Sequence, residues 1–413
     1  MLSPKRILFL AEGATMAHFV RPLALAESIA DTGYEIYFYA PARFSSYLQN
    51  KPFHIGELAS MPGEQFLKNI ATGRPLFSAD TIRNYVAEDR DLIQAIKPHL
   101  VIGDMRLSLP ISARLELTQY AVIFNAYWSP YAKRRSVVPS VPLTRILPAR
   151  LFSPLYKLTE PLVYAIHARE MNKVRREFHV PDLPPDLRVM YTEADYVLYA
   201  DVPEFVPTFS RPNSHRYVGI CEWAPPTAQP DWWDRMRSDP NQKVFVSFGS
   251  SGPLEVVPAL LRALSKLPVS VVIATSGRDL PVPPTAYTAT LLPFTETARE
   301  TSVVVSHGGS GGLYPAIAAG TPVLAIPSNA DQHLSTAVLE ENGPGLGVRV
   351  EEASETRLLR SLEKLLFEPQ YRRSAQQWSV IYSRYPSGDL FRDFLREAFQ
   401  EGEANHQHGS ISQ

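Results

Sequence analysis

The residues best suited to chemistry fall in one run, residues 301–336: T-S-V-V-V-S-H-G-G-S-G-G-L-Y-P-A-I-A-A-G-T-P-V-L-A-I-P-S-N-A-D-Q-H-L-S-T. Val303, Val304 and Val305 read as a short buried parallel strand, 306–312 as a glycine-rich turn, 313–319 as a helix stopped by Gly320, and 323–326 as a second strand. Strand, glycine turn and helix in that order make a phosphate site. Glycines let the backbone come close to an anion. Free N–H groups at the helix start face it, and the helix dipole adds partial positive charge. On the residues alone the ligand is a nucleotide or another phosphate.

A frame must hold that turn. The opening K-R-I-L-F-L-A (5–11) is a buried strand pattern, and Gly13 opens a loop. Residues 18–30 follow helical spacing through Phe19, Leu23, Ala26 and Ile29, Gly33 ends the helix, and 34–40 is the next strand. Such a βαβ start implies a parallel sheet covered by helices. L-V-I-G-D (100–104), 120–125 and 192–199 supply later strands of this first domain, 1–202. Pro203, Pro207, Pro212, Pro225, Pro226 and Pro230 mark 203–240 as a linker. A second α/β series starts at Lys243 with K-V-F-V-S-F-G-S-S-G, continues through 270–275 and includes the glycine turn, giving a domain over 241–375. Residues 372–399 read as helices and 401–413 as a polar tail.

Bulk properties fit this plan. The chain has 413 residues, 45% hydrophobic and 20% charged, enough for two or three domains with ample core. A net charge of −1 gives no global field favouring nucleic acid. One cysteine, Cys221, allows no internal disulfide and suits a reducing, cytoplasmic compartment. The apolar stretch 7–11 is too short for a leader and is followed by Glu12, and no apolar run approaches a membrane span.

The run S-H-G-G-S-G-G, followed by A-G-T-P-V-L-A-I-P and Asp331-Gln332, resembles the donor-binding motif of UDP-glycosyltransferases and related macrolide-type antibiotic glycosyltransferases. That resemblance implies the GT-B fold, two Rossmann-like domains facing across a cleft, with C-terminal helices at 376–400 crossing back onto the first domain. It implies that His307 contacts a diphosphate, with Gly309, Ser310 and the N–H groups of Gly311 and Gly312 beside it. These donors would neutralise the charge that builds on a leaving nucleoside diphosphate, with no metal and no further cofactor required. In S-F-G-S-S-G (247–252), Ser250 matches the second phosphate loop, although a serine-rich turn also suits a plain helix cap. Asp331 and Gln332 match the pair that binds hydroxyls of the donor sugar, and a helix cap fits Asp331 as well. Phe294, in L-P-F, matches the segment near the base; core packing explains it equally. The family often places a glutamate after the glycine turn to hold the ribose, and here that position is Pro315. The base could therefore be uracil or thymine, with UDP placed ahead of dTDP.

On the acceptor side, His18 in A-H-F-V-R-P-L falls where the family has its catalytic histidine, with Ala17 in place of the usual glycine. An imidazole has an ordinary pKa of ~6.5, near working pH, which suits a general base. Asp104, ending L-V-I-G-D, matches the aspartate that orients it. A surface histidine at a helix start is the plainer reading. The dyad would imply in-line displacement with inversion at the anomeric carbon. Tyr127 and Trp128, in F-N-A-Y-W-S-P, match the region that shapes the acceptor pocket, and point to a small apolar or lipid-like acceptor. The stretch 127–180 carries Lys133, Arg134, Arg135, Arg145, Arg150, Lys157, Arg169, Lys173, Arg175 and Arg176 among apolar residues. A solvated helical face balanced by Glu160, Glu170 and Glu177 is preferred there to peripheral contact with an anionic membrane.

Three rivals stay open. Ser310 also sits in G-x-S-x-G, the nucleophile turn of α/β-hydrolases, which would make a serine esterase; His333, His406 and His408 are the downstream histidines. A sugar-nucleotide-binding pseudoenzyme and a sugar-nucleotide epimerase would use the same two domains. Asp89-Arg90-Asp91 spells the metal-binding D-x-D, but lies in a helical run where residues two apart do not face together, and is read as surface charge.

Overall fold

The computed structural model describes residues 4–141, 144, 146, 148–225, 228–249 and 251–409. Ser250, Arg145, Pro226 and residues 410–413 lie outside the described residues, as do the side chains of Arg150 and of 401–409. Runs of Val, Ile, Leu and Phe with no polar break must be buried on both faces, and they become parallel strands under helices. Among the described residues the first sheet holds β1 (Arg6–Ala11), β2 (Glu35–Ala40), β3 (His54–Glu57), β4 (Leu100–Asp104), β5 (Gln119–Phe124), β6 (Tyr196–Tyr199) and β7 (His215–Tyr217). Their order is β3-β2-β1-β4-β5-β6-β7, and every pairing is parallel. The second sheet repeats the plan with β8 (Gln242–Ser247), β9 (Val269–Ala274), β10 (Tyr287–Ala289), β11 (Val303–Ser306), β12 (Val323–Ala325) and β13 (Gly345–Gly347), in the order β10-β9-β8-β11-β12-β13.

Strand order reverses between β1 and β4 in the first sheet, and between β8 and β11 in the second. Open parallel sheets bind ligands at the carboxyl ends of strands flanking such a reversal. His18 follows β1 and Asp104 ends β4. The loop at 247–252 follows β8, and His307 follows β11. Topology alone therefore brings both predicted halves of the site to the two switch points.

The stretch expected as a linker contributes β7 to the first sheet, so that sheet runs past residue 202. The chain crosses between the sheets twice, after β7 and again between the helices Pro369–Tyr382 and Ser387–Gly409. The earlier of these helices packs on the second domain, where Ser379 Oγ donates to the Ala318 carbonyl at 2.6 Å. The later one buries Phe391, Phe394, Leu395 and Ala398 against the first domain, beside Phe9, Phe19 and Phe38. It continues as helix to Gly409, through the start of the stretch expected as a polar tail. Gly219 on the first crossing has φ +71°, and a Cβ there would stand 2.2 Å from the Tyr385 carbonyl oxygen on the second.

Asp89 is fully buried, not surface charge. Its carboxylate accepts from Arg106 Nε at 2.9 Å and from Ser112 Oγ at 3.0 Å. Arg106 also donates to Glu88 at 2.7 Å, lies 3.5 Å from the buried Glu12, and stacks its guanidinium 3.7 Å from the Tyr85 ring centroid. Residues two apart on a helix do face differently: Asp91 is exposed while Asp89 points inward. The cluster anchors the loop that leads from β1 to His18, since Glu12 ends that strand's approach and Ser60 bonds both Glu12 and the Gly13 N–H.

Candidate active site

A cavity of about 440 Å³ lies between the two sheets' carboxyl edges, lined mostly by apolar groups from both domains. His18 stands on its first-domain wall, one residue into the helix Ala17–Ser28. Its Nδ1 lies 2.8 Å from Asp104 Oδ1. Asp104 is fully buried; burial works to raise its pKa, but the charges of Arg21 and His18 and their hydrogen bonds win and hold it below the usual carboxylate range. An ionised carboxylate only accepts, so Nδ1 carries the proton and Nε2 keeps its lone pair.

Arg21 completes this corner. It follows His18 by one helical turn, which puts both on one helix face. Its Nε and Nη2 each donate to Asp104 at 2.7 Å, and its Nη1 donates to Asn125 Oδ1 at 2.7 Å. A bidentate guanidinium fixes the carboxylate in two dimensions and leaves it one free direction, toward the imidazole. Asn125 Oδ1 also accepts from Ser310 Oγ at 3.2 Å, across the cleft. An unbroken chain of hydrogen bonds thus links the glycine turn of the second domain to the His18 imidazole of the first.

Arg21, Asn125 and a third buried group, Asp201, were not among the residues singled out from sequence. Their signal was present. Asp104, Asn125 and Asp201 stand at or just past the carboxyl ends of β4, β5 and β6, the edge where an α/β sheet binds its ligand. Burial pushes Asp201 up to about 7 against the hydrogen bonds from Tyr314, the Ala126 N–H and Asn125. Tyr314 belongs to the helix Ser310–Ala318, so this bond also ties the donor turn to the first domain.

Across the cleft, the helix Ser310–Ala318 starts three residues earlier than its apolar pattern suggested. Its N-cap is Gly309, with no side chain capping the first turn. The Gly312 N–H, expected to face an anion, instead bonds the Gly309 carbonyl at 2.9 Å. Among the described residues, the N–H groups of Gly309, Ser310 and Gly311 in this turn have no hydrogen-bond partner. Gly308 takes φ +82°, and a Cβ there would meet Thr336 Oγ1 at 2.6 Å, so only glycine makes this turn. His307 lies half-buried between the two glycine loops, and its Nδ1 has no hydrogen-bond partner among the described residues. Burial lowers it to about 4, with Arg278 adding to the effect and Asp331 opposing it. A neutral imidazole with an orphaned nitrogen beside an uncapped helix start has the donor chemistry that suits an anion. Arg278 supports the second loop by donating to the carbonyls of Gly249 and Gly252 at 3.1 and 2.8 Å.

Asp331 lies in the first turn of the helix Ala330–Asn342, whose cap is Asn329 rather than Asp331. Its Oδ1 accepts from Tyr127 at 3.0 Å and from Trp128 at 2.9 Å. Trp128 also lines the cavity. Tyr127 does not; it is buried and turned to Asp331. Gln332 lines the cavity, with its carbonyl oxygen occupied by the Ser328 N–H and hydroxyl, each at 2.9 Å. Phe294 stands on the same wall, tilted on Phe245 with ring centroids 5.0 Å apart. Of the histidines downstream of Ser310, His333 bonds Ser140 at 3.0 Å and approaches Arg349 at 3.5 Å, so it does not serve Ser310 as a base.

Comparison with known proteins agrees with this geometry. Residues 258–383 match the family model for the C-terminal domain of erythromycin biosynthesis protein CIII-like proteins. The chain is 40% identical over 380 residues to a PGL/p-HBAD biosynthesis glycosyltransferase of Mycobacterium tuberculosis, covering 92% of this chain and 89% of that protein. It is 39% identical over 382 residues to a PGL/p-HBAD biosynthesis rhamnosyltransferase of Mycobacterium bovis, covering 92% and 85%. Among solved structures, spinosyn forosaminyltransferase SpnP superposes with a TM-score of 0.68 at 17% identity, covering 95% of this chain and 98% of that one.

Proposed function

Because the chain belongs to the GT-B glycosyltransferase family that includes the mycobacterial PGL/p-HBAD biosynthesis enzymes, we propose that it transfers a sugar, with inversion, from a nucleoside diphosphate to a hydroxyl of an apolar or lipid-like acceptor. The observation that carries this reading is the pairing of two unlike imidazoles on opposite walls of one cavity. His18 is backed by an ionised Asp104, whereas His307 is neutral and open to an anion.

The acceptor hydroxyl meets His18 Nε2, which takes its proton as the oxygen bonds to the anomeric carbon. The bond from that carbon to the diphosphate oxygen breaks, and the electron pair leaves with the diphosphate. His307, the N–H groups of Ser310 and Gly311, and the helix dipole receive that charge. These groups supply the electrophilic assistance without a divalent ion. Asp331 offers Oδ2 to the sugar, since Tyr127 and Trp128 engage only Oδ1. The apolar walls, with Phe66, Ile70, Val163 and Tyr164 among them, suit an acceptor with little polarity.

The test is His18→Ala, assayed with nucleoside diphosphate sugars in the presence of EDTA. General-base removal lowers turnover roughly 100- to 10,000-fold. Calorimetric donor affinity stays unchanged, because the donor groups lie on the other domain. Near-parental turnover in the variant, or loss of parental activity in EDTA, overturns the assignment. A calorimetric comparison of UDP with dTDP decides the nucleotide.

A further inference from the structure

The long helix Ala149–Glu177 has two unlike faces. One lines the cavity through Tyr156, Glu160, Val163, Tyr164 and His167. The other carries Leu151, Leu155, Leu158, Leu162 and Ile166, spaced by four, three, four and four residues, and each keeps 49 to 79% of its surface exposed. Such spacing makes one continuous stripe. It is about 22 Å long at 1.5 Å per residue, and on the order of 500 Å², the upper end of what a soluble monomer exposes in one patch. The acids expected to balance this segment are engaged elsewhere, and Glu177, though exposed, lies beyond the stripe's end. Glu160 is buried against Arg134, Glu170 accepts from the Ala79 N–H, and Glu177 pairs with Arg83. Lys157 is exposed but projects off the stripe, whereas Arg169 and Lys173 are exposed and continue it beyond Ile166. Among the described residues no helix is long and apolar enough to cross a membrane.

We propose that this stripe seats the protein on an anionic phospholipid surface, with the helix lying in the plane of the headgroups. An apolar face edged by lysine and arginine matches that surface in both polarity and sign. Continuity with the cavity sets the use: a lipid-tailed acceptor moves from the bilayer, past the same helix, into the apolar half of the site. That use rests on the acceptor class proposed above, whereas the docking itself does not.

Vesicle flotation tests it. The parent chain floats with vesicles of equal parts phosphatidylcholine and phosphatidylglycerol, binds pure phosphatidylcholine more weakly, and loses binding as salt rises. The double variant Leu155→Ser/Leu158→Ser lowers the partition coefficient by roughly 100-fold. Its melting temperature and its turnover of donor with a short-chain, water-soluble acceptor match the parent. Absence of parental flotation, or equal flotation of the variant, overturns the proposal. So does a parental dimer in solution that the variant converts to monomer, because a second copy then covers the stripe. If flotation holds but the soluble acceptor receives no sugar, the catalytic reading fails and the docking surface stands.

Discussion

Replacing Asp104 by asparagine asks the sharpest question of the proposed catalytic corner. The amide has the same shape but only one acceptor oxygen. In the parent, Oδ2 receives Arg21 Nε, and Oδ1 receives both Arg21 Nη2 and His18 Nδ1. Arg21 has only donors and reaches both positions, so the amide NH₂ opposes a guanidinium N–H in either one; placed at the Oδ1 position it also turns a hydrogen toward Nδ1. His18 then accepts at Nδ1 and carries its proton on Nε2, the nitrogen needed as base. Turnover falls by roughly 100- to 10,000-fold, the span of general-base catalysis. Stability falls too. Arg21 and Asp104 are buried, and breaking such a pair costs ~3–5 kcal/mol. The amide retains one acceptor for the guanidinium, which places this variant near about 3 kcal/mol, or roughly 6–12 °C in melting temperature. The assay is steady-state turnover at pH 7, well below the variant's melting point, alongside calorimetric donor affinity. A variant that melts lower yet turns over within tenfold of the parent refutes the argument, because Asp104 would then be structural only. Weakened donor affinity would refute it as well, since Asp104 lies on the acceptor side.

His307→Ala removes one charge-assisted donor, and donor affinity by titration calorimetry falls about 10- to 100-fold, while the variant's fold and melting point hold. The parent His307 sits near 4 without ligand, so it is neutral at pH 6. A bound diphosphate raises that value, so donor binding takes up protons and strengthens as pH falls from 8 to 6. Calorimetry in buffers of different ionisation enthalpy reads the uptake directly; buffer-independent heats would contradict it. Arg106→Met strands the buried Asp89 and Glu12 without their cation and lowers stability by ~3–5 kcal/mol. A melting point within a degree or two of the parent would show that the cluster is compensated elsewhere.

The sheets were legible because parallel strands buried on both faces announce themselves as unbroken apolar runs, as in 303–305 and 100–103. The glycine turn was legible because its backbone admits few residues, Gly308 above all. What escaped depends on tertiary approach. Arg21 reads as an ordinary helical arginine until Asp104 and Asn125 arrive from β4 and β5, over a hundred residues away in the case of Asn125. Tyr127 and Trp128 are adjacent and were grouped together, yet only Trp128 reaches the cavity, while both hydrogen-bond Asp331 across the cleft. Asp89 and Asp91 spell one motif in the sequence, although the helix turns one inward and the other outward. β7 was hidden by the prolines around it, since a three-residue edge strand carries too little pattern to stand out.

The contact between Gly219 and Tyr385 packs the two crossings against each other. Both crossings pass through one spot, so a swing of one half against the other would turn about a single place rather than two separate tethers. Swinging about it displaces the far rim of the cleft most and the pivot itself hardly at all. The absent side chain at 219 is the clearance in that joint. A methyl group there acts as a shim, 2.2 Å from the Tyr385 carbonyl oxygen in the link between the two C-terminal helices. It would set the resting aperture of the cleft without touching a residue that lines the cavity.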